Sequence, residues 1–261
     1  MADLDEALEL HHTGEGTWSV RADPRYEAVA GMFGGWTTAV MLRAVVDDSR
    51  AIGMPAACTV DFVAPVPAGP DVTITTVLVR QGRSVQHWRV DLVRDEGAVF
   101  AHAVVIQAIR QQRDGFTEPV MPEVPDPESL PEFHPPNTAG EHVSVRPVFP
   151  SVFFGQDSTR SAHWAKETSG RPVDCLQLAF LSDSYAPRIF LRSAGPRPSL
   201  TLTMSVYFTG TAEDIAAVGD AYLLNEATGT RATDGIVGQQ ARLWSPAGAL
   251  LATTEQLCWY Q

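Results

Sequence analysis

Lysine is almost missing from this chain. Lys166 is the only one among 261 residues, arginine carries nearly all the positive charge, and the formal net charge is −12. Binding to a nucleic-acid backbone needs clustered lysine and arginine, so a nucleic-acid partner is excluded. An anionic ligand would have to meet a local arginine cluster on an acidic protein. Cysteine is scarce as well. Cys58, Cys175 and Cys258 are odd in number, far apart and set among apolar residues, which reads as buried thiols rather than a disulfide or metal site. No apolar run approaches the roughly 20 residues that cross a bilayer. The segment Met1 to Glu9 is acidic and lacks the basic start and apolar core of a signal peptide. No membrane association is expected, and a cytoplasmic location follows. There is no G-x-S-x-G elbow for a covalent serine hydrolase. The seven histidines show no metal-binding spacing, and no glycine-rich phosphate loop follows a strand. Neither metal nor cofactor is expected.

What is present describes a globular protein: 44% hydrophobic and 19% charged residues. The length suits one large domain or two ordinary ones. Seven prolines fall between Pro119 and Pro136, in a stretch dense with Glu and Asp. Proline removes a backbone donor and resists regular structure, so this stretch reads as an extended linker. The expected division is an N-terminal unit over 1–112, a linker over 113–145 and a C-terminal unit over 146–261.

Halves of similar size invite a search for a repeat. In the first, Phe33 to Val46 predicts a helix apolar around nearly its whole circumference, Arg43 excepted, with Gly34 and Gly35 at its start. In the second, a comparable helix is expected from Cys175 to Ala186, capped by Asp174 and stopped before Pro187. A helix apolar on all sides is wrapped by other structure. Strand-like runs follow each helix. They are Cys58 to Val63, Val72 to Arg80, Val85 to Arg94 and Ala98 to Ile109, then Leu200 to Phe208, Ala221 to Thr228, Ile236 to Ser245 and Ala249 to Tyr260. Asp95-Glu96-Gly97 and Pro246-Ala247-Gly248 mark hairpin turns. Val60-Asp61-Phe62 and Val206-Tyr207-Phe208 hold the same place in their halves. One helix then several antiparallel strands, twice over, is an α+β pattern in which a curved sheet grips a helix.

Six motifs, in order, resemble those of acyl-CoA thioesterase II-like double-hotdog proteins. Phe33-Gly34-Gly35 is similar to the family's FGG helix entry. Phe62-Val63-Ala64-Pro65-Val66-Pro67-Ala68-Gly69 resembles its second-strand motif, and Arg80-Gln81-Gly82-Arg83-Ser84-Val85 its R-x-G-R-S-F turn. Leu178-Ala179-Phe180-Leu181-Ser182-Asp183 is similar to L-A-Y-L-S-D. Pro198 to Thr201 running into Tyr207-Phe208 is similar to the strand that ends in W-F, and Ala252-Thr253-Thr254-Glu255-Gln256 to A-S-T-x-Q. The resemblance implies an α+β double-hotdog fold of two tandem units. It implies hydrolysis of acyl-CoA to free acid and CoA in fatty acid metabolism, without metal or covalent intermediate. It puts the family's catalytic Asp, Thr/Ser and Gln on Asp183, Thr201 and Gln256. A homo-oligomer, a dimer or tetramer of double hotdogs, is expected. The chain departs from the family at Thr203-Met204, where Asp-His is usual, and at Thr209-Gly210, where basic residues commonly follow.

The same residues have readings of their own. Asp183, late in an otherwise apolar helix, is either a structural carboxylate bonded to backbone donors or a base in a cleft. Thr201 alternates with Thr203 and Ser205, an ordinary pattern for a solvent-facing strand. Gln256, in an apolar closing strand, needs partners if buried, which a water beside Asp183 would supply, or it lies on a polar face. Gly34 and Gly35 either allow tight packing or leave helix-start amides free for an oxyanion. Arg80 and Arg83, at a turn, are candidates for the phosphates of CoA. Val105 stands near the place matching Gln256, so one active site per chain is expected. The alternative is a non-catalytic acyl-CoA or lipid-binding hotdog protein.

Overall fold

The computed structural model describes residues 4–94, 97–150 and 153–261; Asp95 and Glu96 of the first predicted turn lie outside the described residues. Among the described residues, twelve strands form one antiparallel sheet. They are β1 (His11–Gly14), β2 (Thr17–Arg21), β3 (Met54–Phe62), β4 (Asp71–Gln81), β5 (Val85–Val93) and β6 (Val99–Ala108), then β7 (Val143–Phe149), β8 (Ser161–Glu167), β9 (Ser199–Phe208), β10 (Leu223–Thr233), β11 (Ile236–Trp244) and β12 (Leu250–Tyr260). Their spatial order is β1-β2-β4-β5-β6-β3-β9-β12-β11-β10-β8-β7. From the central β3–β9 joint, the two halves run outward through equivalent strands. With one long central helix in the first half and a shorter one in the second, this is a double hotdog.

The register makes the repeat exact at residue level. Val60 pairs with Met204 and Cys58 with Val206, on either side of Thr59 opposite Ser205. The hydroxyls of Thr59 and Ser205 lie 2.9 Å apart on this local twofold. Both central strands also carry an irregularity at the same place, between Pro55 and Ala57 in one and between Thr201 and Thr203 in the other.

Of the helices, α1 (Leu4–Ala7) packs under α2 (Gly34–Val46), whose Trp36 Nε1 donates to Ala7 O at 3.0 Å. Helix α2 is buried on almost every side, as its composition predicts, with Arg43 half-buried and paired to Asp47. It lies on β3 to β6 and against α3 (Cys175–Leu181). Asp174 caps α3 by accepting from Gln177 N–H at 2.8 Å. The helix stops five residues short of the predicted Ala186. Ser182 Oγ and Ser184 Oγ donate back to the carbonyls of Leu178 and Leu181, side-chain bonds that compete with continued helix. After the break, α4 covers Arg188–Arg192.

The predicted strands match within a few residues, but β1, β2, β7 and β8 carry little sequence signal. β1 is a polar edge. β7 contains Pro147, which an edge strand tolerates. β8 is buried on both faces, which erases alternation. One of those faces is covered by the proline-rich stretch: Met121, Val124 and Leu130 pack on the cluster around Trp164, whose Nε1 donates to Pro125 O at 3.0 Å. Gly248, at φ +86°, closes the second predicted hairpin turn. Cys58 and Cys258 are buried free thiols, and Cys175 keeps partial exposure. No helix among the described residues is long and apolar enough to cross a membrane.

Candidate active site

The early end of α3 decides where Asp183 goes. It sits two residues past Leu181 rather than within the helix, at a C-terminus whose dipole disfavours negative charge, but it faces the N-terminus of α2, which favours it. Its carboxyl accepts from the Gly35 N–H, and Oδ1 accepts from Gln256 Nε2 at 2.8 Å. The approach is close. A Cβ on Gly34 would stand 2.6 Å from Asp183 Oδ2, and one on Gly35 would stand 2.2 Å from Phe180 O. Neither glycine has a positive φ, so it is space rather than backbone freedom that they supply. Burial pushes the Asp183 carboxyl up to about 7, against the opposing effect of the bonds from Gln256 and Gly35. A carboxylate poised near neutrality can take a proton at neutral pH and release it again.

Gln256 projects inward from β12 and is buried. Its Oε1 accepts from Gln239 Nε2 at 2.7 Å and from Thr201 Oγ1 at 3.4 Å. Thr201 stands beside the irregularity in β9, a device that re-aims a side chain. It turns toward Gln256 and so reaches Asp183 only through that amide. Met204 Sδ lies 3.1 Å from Gln256 Nε2, so the departure from the family pattern falls directly on this group.

Of the predicted residues, the structure gathers Asp183, Gln256, Thr201, Gly34 and Gly35. It does not bring Arg80 or Arg83 to them. Arg80 borders a shallow depression on the sheet face away from the helices, with Val79, His87 and Val104, and Arg83 is exposed on the turn after β4. Neither arginine is in an ion pair among the described residues. His102, also on that outer face, pairs across strands with Asp91 at 2.5 Å.

Residues without a sequence signal complete the surroundings. Tyr185, buried after α3, and Cys258, on β12, lie beside Asp183; burial raises Tyr185 well above its usual value and Cys258 to about 12. His163 on β8 is buried and held neutral, its value lowered to about 3 by burial and by the Arg188 charge. Gln239 is the one the sequence could have shown. Gln239-Gln240 stands in an apolar strand, and alternation must turn one of the two amides inward. In the first half, Val105 pairs with Cys58 as Gln256 pairs with Met204, and Trp88 pairs with Val105 as Gln239 pairs with Gln256. The equivalent place is therefore apolar.

Residues 22–109 match the acyl-CoA thioesterase N-terminal domain, and residues 117–260 match the acyl-CoA thioesterase C-terminal domain. Among solved structures, a conserved hot dog fold protein of unknown function from Alicyclobacillus acidocaldarius is 33% identical over 99% of this chain and 97% of its own, with a TM-score of 0.94. A putative thioesterase II from Thermobifida fusca YX is 19% identical over 100% and 98%, with a TM-score of 0.87. The acyl-CoA thioesterase II TesB2 of Mycobacterium marinum is 19% identical over 99% and 98%, with a TM-score of 0.80. None of the curated proteins matches the chain.

Proposed function

The chain belongs to the acyl-CoA thioesterase family, and from that premise we propose that it hydrolyses acyl-CoA to free acid and CoA with Asp183 as general base. The observation that carries this reading is the Asp183 carboxyl, set where the two halves meet, bonded to Gln256 and raised to about 7. In the proposed reaction Asp183 takes a proton from water as its oxygen attacks the thioester carbonyl carbon. The tetrahedral intermediate collapses, the C–S bond breaks, and the proton held by Asp183 goes to the leaving thiolate. Gln256 and Thr201 orient the water and the carboxylate. The carbonyl oxygen, as it becomes an oxyanion, is received at the positive end of α2. Gly35 N–H is shared with Asp183, so Gly34 N–H is the principal donor there. The acyl chain runs between the units along the apolar helices, and one or both of Arg80 and Arg83 meet the nucleotide end of CoA. Release of a fatty acid and CoA would be a step of fatty acid metabolism.

One observation favours a second reading, a non-catalytic acyl-CoA or lipid-binding protein. Met204, with a weakly accepting sulfur, occupies the position beside Gln256 where the family places a polar residue. Thiol release from a panel of acyl-CoAs of different chain length separates the two. Turnover on at least one chain length is expected, and saturable binding with no thiol released on any would favour the binding protein.

A further inference from the structure

Gln256 can help Asp183 in only one orientation. Its NH2 must face the carboxylate, because a flipped amide would set a carbonyl oxygen against it, a contact tolerable only if Asp183 holds a proton. Something must therefore choose the orientation of the Gln256 amide.

The structure contains a one-way chain that does so. The Arg188 backbone N–H donates to Gln239 Oε1 at 2.9 Å, Gln239 Nε2 donates to Gln256 Oε1 at 2.7 Å, and Gln256 Nε2 donates to Asp183 Oδ1 at 2.8 Å. Its origin cannot reverse. Arg188 is the first residue of α4, after Pro187, and an N–H in a first helical turn has no partner within the helix and can only donate. Gln239 must answer with its oxygen, which leaves its NH2 for Gln256 and fixes Gln256 in turn. Gln239 and Gln256 are both buried and directly paired across β11 and β12. The fold does not need two amides there, since the equivalent pair in the first half is Trp88 and Val105. Buried amides are costly unless bonded, so a pair kept where the repeat is apolar points to a role beyond packing.

We infer that Gln239 is a positioning residue that locks Gln256 with its N–H toward Asp183 and so sustains the ionised carboxylate. The inference rests on Asp183 being the base, and it makes a separate prediction about the titration of Asp183. The ionisable groups facing Asp183 leave that titration clean. Tyr185 and Cys258 are neutral near pH 7, α2 presents only the backbone of Gly34 and Gly35, and β9 contributes Thr201 and Met204. Arg188, on α4, stacks over Tyr185, and His163, on β8, lies beside Arg188; neither changes charge near pH 7.

Two variants test this. Gln239→Met keeps the length and removes the donor. Gln239→Leu removes the same donor with a different shape and, like the methionine variant, adds no charge beside Asp183. In both, the Asp183 Cγ resonance, assigned with Asp183→Asn and followed by ¹³C NMR, is expected to titrate about one pH unit or more higher than in the wild type. The acid limb of kcat/KM should move with it, and kcat should fall about tenfold with KM nearly unchanged. A lower melting temperature with an unmoved Asp183 midpoint, in whichever variant folds, would overturn the positioning role. If the wild type releases no thiol from any acyl-CoA, the NMR midpoints still decide the role of Gln239, and only the hydrolytic reading fails.

Discussion

At the scale of single residues, the raised carboxyl of Asp183 links activity and stability to pH. A base that must be ionised and that titrates near 7 predicts half-maximal kcat/KM near that pH, about three units above an ordinary aspartate. A pH–rate profile with an acid limb near 4 would contradict it. The stability effect has the opposite sense to that of a salt-bridged aspartate. Between about pH 4, where the unfolded chain releases this proton, and about pH 7, the folded protein binds more protons than the unfolded one. Stability therefore falls as pH rises through that window. Asp183→Asn removes the dependence, so the unfolding free energy of the variant relative to wild type should improve from pH 5 to pH 8, as urea titrations at the two values would show. Asp183 and Gln256 were singled out through the family resemblance, with Asp183 just past an apolar run and Gln256 in need of partners if buried, and the structure brings the two within hydrogen-bond reach. Thr201 was legible only through the family resemblance, since its inward aim depends on a strand irregularity that no residue type announces.

At the scale of elements, the contact between α2 and α3 is set by two glycines with different neighbours. A methyl on Gly35 meets the Phe180 carbonyl and the Phe33 ring, which a backbone group cannot yield to. Gly35→Ala should therefore cost about 1–3 kcal/mol or more of stability, read by chemical denaturation. A methyl on Gly34 meets mainly the Asp183 carboxylate, a side chain that can move aside. Gly34→Ala should keep most of its stability and lose most of its turnover. Equal losses in both properties for both variants would contradict this division. The sequence leaves packing and oxyanion binding open for these glycines; the structure attaches Gly35 to packing and to Asp183 together, and the oxyanion role of Gly34 is part of the proposal. α3 ends at Leu181 rather than Ala186 because Ser182-Asp183-Ser184 breaks the apolar run and the two serine hydroxyls bond back to helix carbonyls, a stop that Tyr185 and Ala186 beyond it obscured. The edge strands were invisible for the physical reasons of edges: few apolar residues, a tolerated proline, and burial imposed from outside by the proline-rich stretch.

At the scale of the whole molecule, a local twofold relates two similar six-strand halves, but the polar group around Asp183 does not follow the symmetry. Asp183, Gln256, Thr201 and Gln239 belong to the second half, the first contributes the α2 amides, and Trp88 and Val105 fill the equivalent site. The duplication was readable from the repeated helix-and-strands order. The asymmetry was readable from Val105, because strand order carried it to the place of Gln256. At this scale belongs the proposed CoA contact. At least one of Arg80→Ala and Arg83→Ala should raise KM for acyl-CoA with kcat little changed, and an unchanged KM in both would remove these arginines from substrate binding. The central claim, that Asp183 is the base of a single site, is tested most directly by measuring thiol release and thermal unfolding on one preparation of Asp183→Asn. The account predicts a folded protein whose turnover falls by roughly 10²–10⁴-fold while acyl-CoA binding survives; near-wild-type turnover in the folded variant would contradict it.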